Sequence, residues 1–548
     1  MSEQQWHDQF DVVVVGSGAG AITAAITAAK EGLKTVILEK ADSWGGSSSL
    51  SGGGVWIPNN PVAKAQGLED SFEEALTYME TVVGDVGPAS SKERKIAFLK
   101  KGPEMVSFLQ NEGIKFVPGK LYPDYYPDKP GGKIGRVLDC EFFDRRKLGE
   151  LGKSIRTMAG GAPPIPFTTG ETACLPKAFT RPEYFFKVIG LFGRGVKCKL
   201  QGKDLLGLGN NLVANLMHVA QKYNVPLWLN SPCRRLIMEG DRVAGVEVEK
   251  EGKKLALRSR AVILAAGGFE HNAELRRKYQ GVGSDWTVGS PDNTGDVILQ
   301  CMEIGADMAL LDEAWWGVVA VDHQGNRNFL VWERSMPHCI MVDQDGERYV
   351  NESASYVDVG HAMLERKEKA VPSWLILESR HRNRYIFGMA MPRLTPKEYI
   401  EKGYFIKADT IEELARKCGI NPDKLKATIE RFNGFVDKGV DEDFGRGNTA
   451  YDNYYGDPTY KNPNLGKLEK GPFYAVKVFP GDLGTSGGML TDEYARVLKN
   501  GKPIPGLYAA GNCSATVMGR TYPGPGATLG AAMVFSYIAA KHIIESSS

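Results

Sequence analysis

The apolar positions of this chain fall into short continuous runs separated by glycines, not into long amphipathic stretches. Residues 12–15 are four valines ahead of Gly16, and residues 36–38 form a second run that ends on Glu39. Apolar runs without alternation are what strands buried on both faces require. Between them, residues 21–30 are alanine-rich and favour a helix, with Gly32 placed where it would end. Further along, residues 236–249 alternate about a Gly240-Asp241 turn, the pattern of a β-hairpin. Residues 261–268 read as another buried strand closing on glycines, residues 507–512 repeat that pattern, and residues 524–530 open a helix. These pieces lie far apart, so the pattern predicts an α/β domain of discontinuous sequence with a second domain inserted in it.

The link between the first strand and helix carries chemistry. Gly16-Ser17-Gly18-Ala19-Gly20-Ala21 fits G-x-G-x-x-G/A: Gly16 allows the tight turn, Gly18 a close backbone approach, and Ala21 close helix–strand packing. Amides and dipole at that helix start suit a pyrophosphate, and Glu39 is placed for ribose hydroxyls. The glycine- and serine-rich run that follows, Trp44-Gly45-Gly46-Ser47-Ser48-Ser49-Leu50-Ser51-Gly52-Gly53-Gly54, suits a backbone wrapped around a large cofactor such as FAD. A nicotinamide fold would proceed into another crossover helix. The helix start at 524–530 would face the flavin's pyrimidine edge.

Composition narrows the class. The 548 residues carry 67 Lys+Arg against 66 Asp+Glu, so no global field favours a nucleic acid. Eight scattered cysteines form no C-x-x-C pair, which argues against a metal site or disulfide framework and for reduced thiols in a cytoplasmic protein. No run reaches the ~18 apolar residues of a membrane span. The first ten residues show no export signal.

With these motifs, AAGGFE (265–270), NTGD (293–296), GTSGG (484–488) and AAGN (509–512), the chain resembles the fumarate reductase/succinate dehydrogenase-type flavoproteins. Within that group, TYPGPGAT (521–528) and Pro123-Asp124-Tyr125 resemble the 3-ketosteroid Δ1-dehydrogenases. The resemblance implies 1,2-dehydrogenation of a 3-ketosteroid, with hydride to flavin and electrons on to a quinone or other acceptor. It implies that the Tyr522 hydroxyl and the Gly526 amide polarise the substrate carbonyl. Fumarate reductases carry NExxxR with an Arg that delivers a proton; here residues 351–356 read NESASY, so Tyr356 takes that place. A guanidinium stays charged and is a poor base, whereas a tyrosine of lowered pKa accepts a proton. Tyr125 would support that base and lower its pKa, and Tyr349 is its rival.

The resemblance further implies an FAD site built from Gly16, Gly18, Ala19, Gly20, Ala21, Glu39 and Lys40. To these it adds Gly45, Gly46, Ser47, Ser49, Ser51, Gly52 and Gly53 of the glycine/serine run, then Ala265, Ala266, Gly267, Gly511, Asn512, Gly526, Ala527, Thr528 and Leu529. No His lies between Trp44 and Trp56, so FAD is expected to be non-covalent. The Rossmann-like FAD domain is expected over 1–315 and 477–548, with an α/β cap over 316–476. Trp315, Trp316, Met389 and Met391 suit an apolar cleft or ordinary core packing, and His338 and His361 read as structural. Residues 181–200 set Tyr184, Phe185, Phe186, Ile189, Leu191 and Phe192 beside Lys187, Arg194, Lys197 and Lys199. A peripheral membrane contact and a buried helix both stay open there. Rival functions are a Δ4-type steroid dehydrogenase, a fumarate-reductase-like enzyme and a non-catalytic FAD redox sensor.

Overall fold

In the computed structural model, residues 5–157, 165–388 and 390–546 are described. The valine run forms the strand Asp8–Val15, which pairs in parallel with Thr35–Leu38 on one side and Lys253–Leu264 on the other. Lys502–Ala509 extends the parallel set beyond Lys253–Leu264, and Leu227–Trp228 extends it beyond Thr35–Leu38. Val12, Val13 and Val14 are fully buried, as their lack of alternation requires. The hairpin Cys233–Glu239 and Arg242–Lys250 turns where the Gly240-Asp241 pair predicts and joins this sheet through Lys253–Leu264.

The helices Ala19–Lys30 and Ala527–Glu545 pack against one another over this sheet. Ala527–Glu545 is long and apolar enough to cross a bilayer, contrary to the expectation that no segment would be, but 72% of its apolar window is buried inside the protein. Its apolar residues face neighbours on nearly all sides because it is a core helix.

The chain passes into a second, antiparallel sheet on Ala314–Val321 and returns on Phe473–Thr485, two strands paired with each other. Ser373–Glu378, Cys339–Val342, Ile406–Ala408 and Arg327–Phe329 complete it. The fold is thus α/β, a mostly parallel sheet bearing the glycine motif plus an antiparallel cap sheet. Val55–Trp56, Val137–Cys140 and Phe116–Pro118 form a small third sheet near the point where both halves meet. Residues 182–200 form one helix, Pro182–Leu200, which begins at a proline suited to a first turn.

Candidate active site

The ends of the parallel strands gather the glycine motifs at one edge. A Cβ on Gly16 would lie 2.2 Å from the Ala265 carbonyl oxygen, so bare backbone lets these two strand ends meet. Ala19–Lys30 starts at Gly18 without a side-chain cap from that residue. Ser48 supplies one from a distance, its Oγ accepting the Ala19 amide at 3.0 Å. Glu39 is buried at the end of its strand, where desolvation raises its pKa; Ser17 and the Ala41 amide donate to its carboxylate. Gly267, Gly511, Asn512 and the uncapped start of Ala527–Glu545 complete the rim. An uncapped helix start, close glycine backbones and an acidic strand end fit the pyrophosphate and ribose of FAD.

Several residues expected to touch the cofactor also bond within the protein. The Lys40 ammonium is held by Thr294 at 2.7 Å and Asp296 at 3.0 Å. The Gly45 amide donates to Ser17, Ser49 is bonded by Asn210, and Ser51 accepts the Gly53 amide. Ser47 accepts from Asn293 and the Ser290 amide. A glycine-rich loop has little stiffness of its own, so these bonds fix its shape. Gly45, Gly53, Ser49 and Lys40 are thus fixed in place by bonds within the protein, beside the expected FAD site.

At the junction of the two halves the structure brings Tyr125, Tyr356 and Tyr522 together from three separate segments. Their ring centres lie 5.1–5.3 Å apart. The Tyr125 hydroxyl donates to that of Tyr356 at 3.2 Å. Thr528, expected on the cofactor, donates its hydroxyl to Tyr522 at 3.1 Å. Trp315 and Phe329 close edge-on against Tyr522 and Tyr356. Gly526 has φ +87°, and a Cβ there would sit 2.0 Å from the Gly54 carbonyl oxygen, so only glycine places its amide at this spot.

Tyr356 opens the helix Tyr356–Glu365. Burial pushes its pKa well above the usual tyrosine value, and neighbouring Tyr522 and Tyr451 add to the rise; the Tyr125 hydrogen bond opposes it. The expectation of a lowered pKa is thus corrected. Tyr125 acts in the expected direction, but desolvation beside Tyr125, Phe329 and Tyr522 outweighs one hydrogen bond. Tyr349, the rival base, lies away from this cluster with its hydroxyl bonded to Ser373 at 2.7 Å and Arg366 over its ring.

The sequence reading missed the brace that holds these tyrosines. Asp124 accepts from Trp56 Nε1 at 2.7 Å and from Arg136 at 2.8 Å, and Arg136 grips Asp70 through Nε and a terminal nitrogen at 2.9 and 2.7 Å. All three charged side chains are fully buried. The Trp56 amide donates to the Gly526 carbonyl, while the Tyr125 amide and the Tyr78 hydroxyl both donate to the Pro523 carbonyl. Segment 123–125 and loop 521–528 are therefore one hydrogen-bonded unit, with Tyr522 and Gly526 on one side and Tyr125 on the other. Asp124 stands inside the quoted Pro123-Asp124-Tyr125 motif and Trp56 two residues beyond the glycine/serine run, but a buried pair 68 residues apart has no sequence spacing to betray it.

Other expectations resolve simply. Trp316 stacks under Arg276, Met391 is largely exposed, and Met389 lies outside the described residues. His338 bonds the Lys467 carbonyl and the Tyr460 hydroxyl, and His361 pairs with Glu313. No metal-ligating cluster occurs among the described residues.

Comparison with known proteins agrees with this geometry. Residues 11–529 match the model of the FAD binding domain family. A 3-oxosteroid 1-dehydrogenase of Mycolicibacterium smegmatis is 44% identical over 98% of this chain and 97% of its own length. A 4-oxocyclohexanecarboxylate 2-dehydrogenase of Sinomonas cyclohexanicum is 36% identical over 97% of this chain and 92% of its own length. The crystal structure of the 3-ketosteroid Δ1-dehydrogenase of Sterolibacterium denitrificans in complex with 1,4-androstadiene-3,17-dione superposes with a TM-score of 0.93 at 39% identity, covering 98% of this chain and all of that one. With a glycine cradle for FAD and three converging tyrosines, the chain belongs to the 3-oxosteroid 1-dehydrogenase family of FAD-binding flavoproteins.

Proposed function

We infer that this protein is an FAD-dependent 3-oxosteroid 1-dehydrogenase, which introduces the carbon 1–carbon 2 double bond beside a steroid's 3-keto group. The convergence of Tyr356, Tyr125 and Tyr522 beside the Gly526 amide is the observation that carries this reading. A hydride leaves a methylene poorly unless the neighbouring carbon gives up a proton to a base and the carbonyl absorbs the resulting charge. The Tyr522 hydroxyl and Gly526 amide polarise the 3-keto oxygen, which acidifies carbon 2. Tyr356 takes that proton, and Tyr125 donates to the oxygen that must carry the charge. FAD, when bound, supplies the acceptor for the hydride from carbon 1. Conversion of a 3-keto-4-ene steroid to its 1,4-diene, read as the loss of two hydrogens by mass, tests the reading; an unchanged steroid contradicts it.

We further propose that FAD is held without a covalent bond, because no histidine stands in the glycine/serine run. Acid precipitation is expected to release all the flavin into the supernatant; flavin retained on the protein contradicts this. A single dinucleotide fingerprint favours a quinone-like acceptor over a pyridine nucleotide. The proposed domain division at 315/316 and 476/477 falls within the two strands by which the chain enters and leaves the antiparallel sheet, Ala314–Val321 and Phe473–Thr485.

We also propose a cytoplasmic protein whose helix Pro182–Leu200 binds a membrane surface. Phe185, Ile189, Phe192 and Val196 follow helical spacing and all are exposed, with Phe186 at 68% and Leu200 at 84%. Lys187, Lys197 and Lys199 accompany them, whereas Leu191 is buried and Arg194 pairs with Glu171. An apolar face rimmed by cations suits an anionic lipid interface. The protein is expected to float with anionic vesicles, and Phe186→Ser with Phe192→Ser to lose most of that binding. Equal flotation of both proteins contradicts the assignment.

A further inference from the structure

The reaction uses the ring that carries the ketone, yet the row of aromatic side chains does not end there. Tyr122 lies 6.4 Å from Tyr125, centre to centre, and stacks on Tyr454 at 4.3 Å. The Tyr122 and Tyr455 hydroxyls meet at 2.7 Å. Beyond Tyr454 is Lys177, its ammonium 5.8 Å from the centre of that ring and 5.6 Å from the centre of Tyr184. Trp56, Tyr78 and Phe98 form a separate, fully buried ring cluster. A flat, fused ligand whose first ring sits at Tyr125, Tyr356 and Tyr522 would meet Tyr122 and Tyr454 if its nucleus followed this row. The row leads outward, since Phe179, two residues after Lys177, is 47% exposed.

Lys177 is an anomaly in this wall. It is only 8% exposed, and its Nζ donates at 2.5 Å to the Tyr454 carbonyl. Among the described residues no carboxylate forms a salt bridge with it; Asp457, which acts on it from farther away, is bonded to Arg384 and Tyr385. An ammonium has three protons to place and is seldom buried without an anion. Two tyrosine faces answer part of its charge. Burial with so little countercharge drives its pKa down to about 8. Lys187 sets a second ammonium 5.4 Å from the Tyr184 ring centre, so the surroundings of Tyr184 are cationic.

We propose that Lys177 is a recognition residue for the far end of the ligand, binding a carboxylate on the side chain of the steroid's last ring while the tyrosines act on its first. This rests on the 3-ketosteroid reading. An acid side chain would supply the anion that the buried ammonium lacks, and the tyrosine row would carry the flat nucleus between the two ends.

The test compares three 3-ketosteroids with one nucleus: a 17-ketone, a side chain ending in a carboxylic acid, and the methyl ester of that acid. Dissociation constants of the 1,4-diene forms are read from perturbation of the flavin spectrum in the holoenzyme, and kcat/KM from the 4-enes. Wild type is expected to prefer the acid over the ester. In Lys177→Met that preference should fall by about 10–100-fold, the range of one charge-assisted hydrogen bond, and Lys177→Arg should restore much of it. An acid-to-ester ratio near one in wild type, or a ratio untouched by Lys177→Met, overturns the proposal. The wild-type ratio decides even if the variant does not fold. Failure of the underlying reading looks different, because then none of the three steroids reduces the flavin.

Discussion

Replacing Tyr356 by phenylalanine is expected to slow flavin reduction by steroid on the order of 10⁴-fold, the upper range for loss of a positioned base. The ring would remain, with its packing against Tyr125, Tyr522 and Phe329, so steroid binding should survive. A spectral titration with the 1,4-diene and a stopped-flow reduction separate the two effects. The same hydroxyl sets the pH profile. Burial holds its pKa well above the usual tyrosine value, so kcat/KM should climb into the alkaline range with no plateau near neutrality. Tyr125→Phe removes the one bond that favours the phenolate and should move that climb to still higher pH. The linkage has a fixed sign: a raised folded-state pKa adds stability below the unfolded value of ~10, and that stability is lost as pH rises beyond it. Tyr122 and Tyr125 are raised by burial in the same way, so stability should decline above about pH 10. Tyr349→Phe should spare reduction, because that hydroxyl faces Ser373. If Tyr349→Phe halts reduction and Tyr356→Phe does not, the assignment of the base is wrong.

Tyr522→Phe is expected to lower turnover by roughly 10²–10³-fold with FAD still bound, the usual cost of removing one oxyanion donor. Its hydroxyl accepts from Thr528 at 3.1 Å, which leaves its own proton to donate toward a carbonyl. The loss should fall on kcat more than on KM, since the bond strengthens as charge builds on the oxygen. Near wild-type turnover in this variant would remove Tyr522 from the oxyanion hole.

Much of the fold was legible because its signals are local. Four valines before a glycine define a buried strand, and Gly240-Asp241 defines a hairpin turn, with no need for distant partners. The three tyrosines were legible for another reason: each sits in a motif whose resemblance carried its role. What stayed hidden depends on contacts between remote segments. The Asp70–Arg136–Asp124–Trp56 brace, the Ser48 cap on Ala19 and the engagement of Lys40 by Asp296 join residues far apart in sequence. The pKa of Tyr356 was misjudged for the same reason. Its supporting hydrogen bond was foreseen, whereas the desolvation that outweighs it comes from rings contributed by several segments.

These tyrosines and FAD together oxidise the bond beside a steroid's 3-keto group. Anaerobic titration of the yellow holoprotein with a 3-keto-4-ene steroid, fumarate and NADH in parallel tests it most directly. The steroid alone is expected to bleach the flavin, with one 1,4-diene formed per flavin reduced. Bleaching by NADH but not by the steroid, or reoxidation of pre-reduced flavin by fumarate as the efficient reaction, would contradict it.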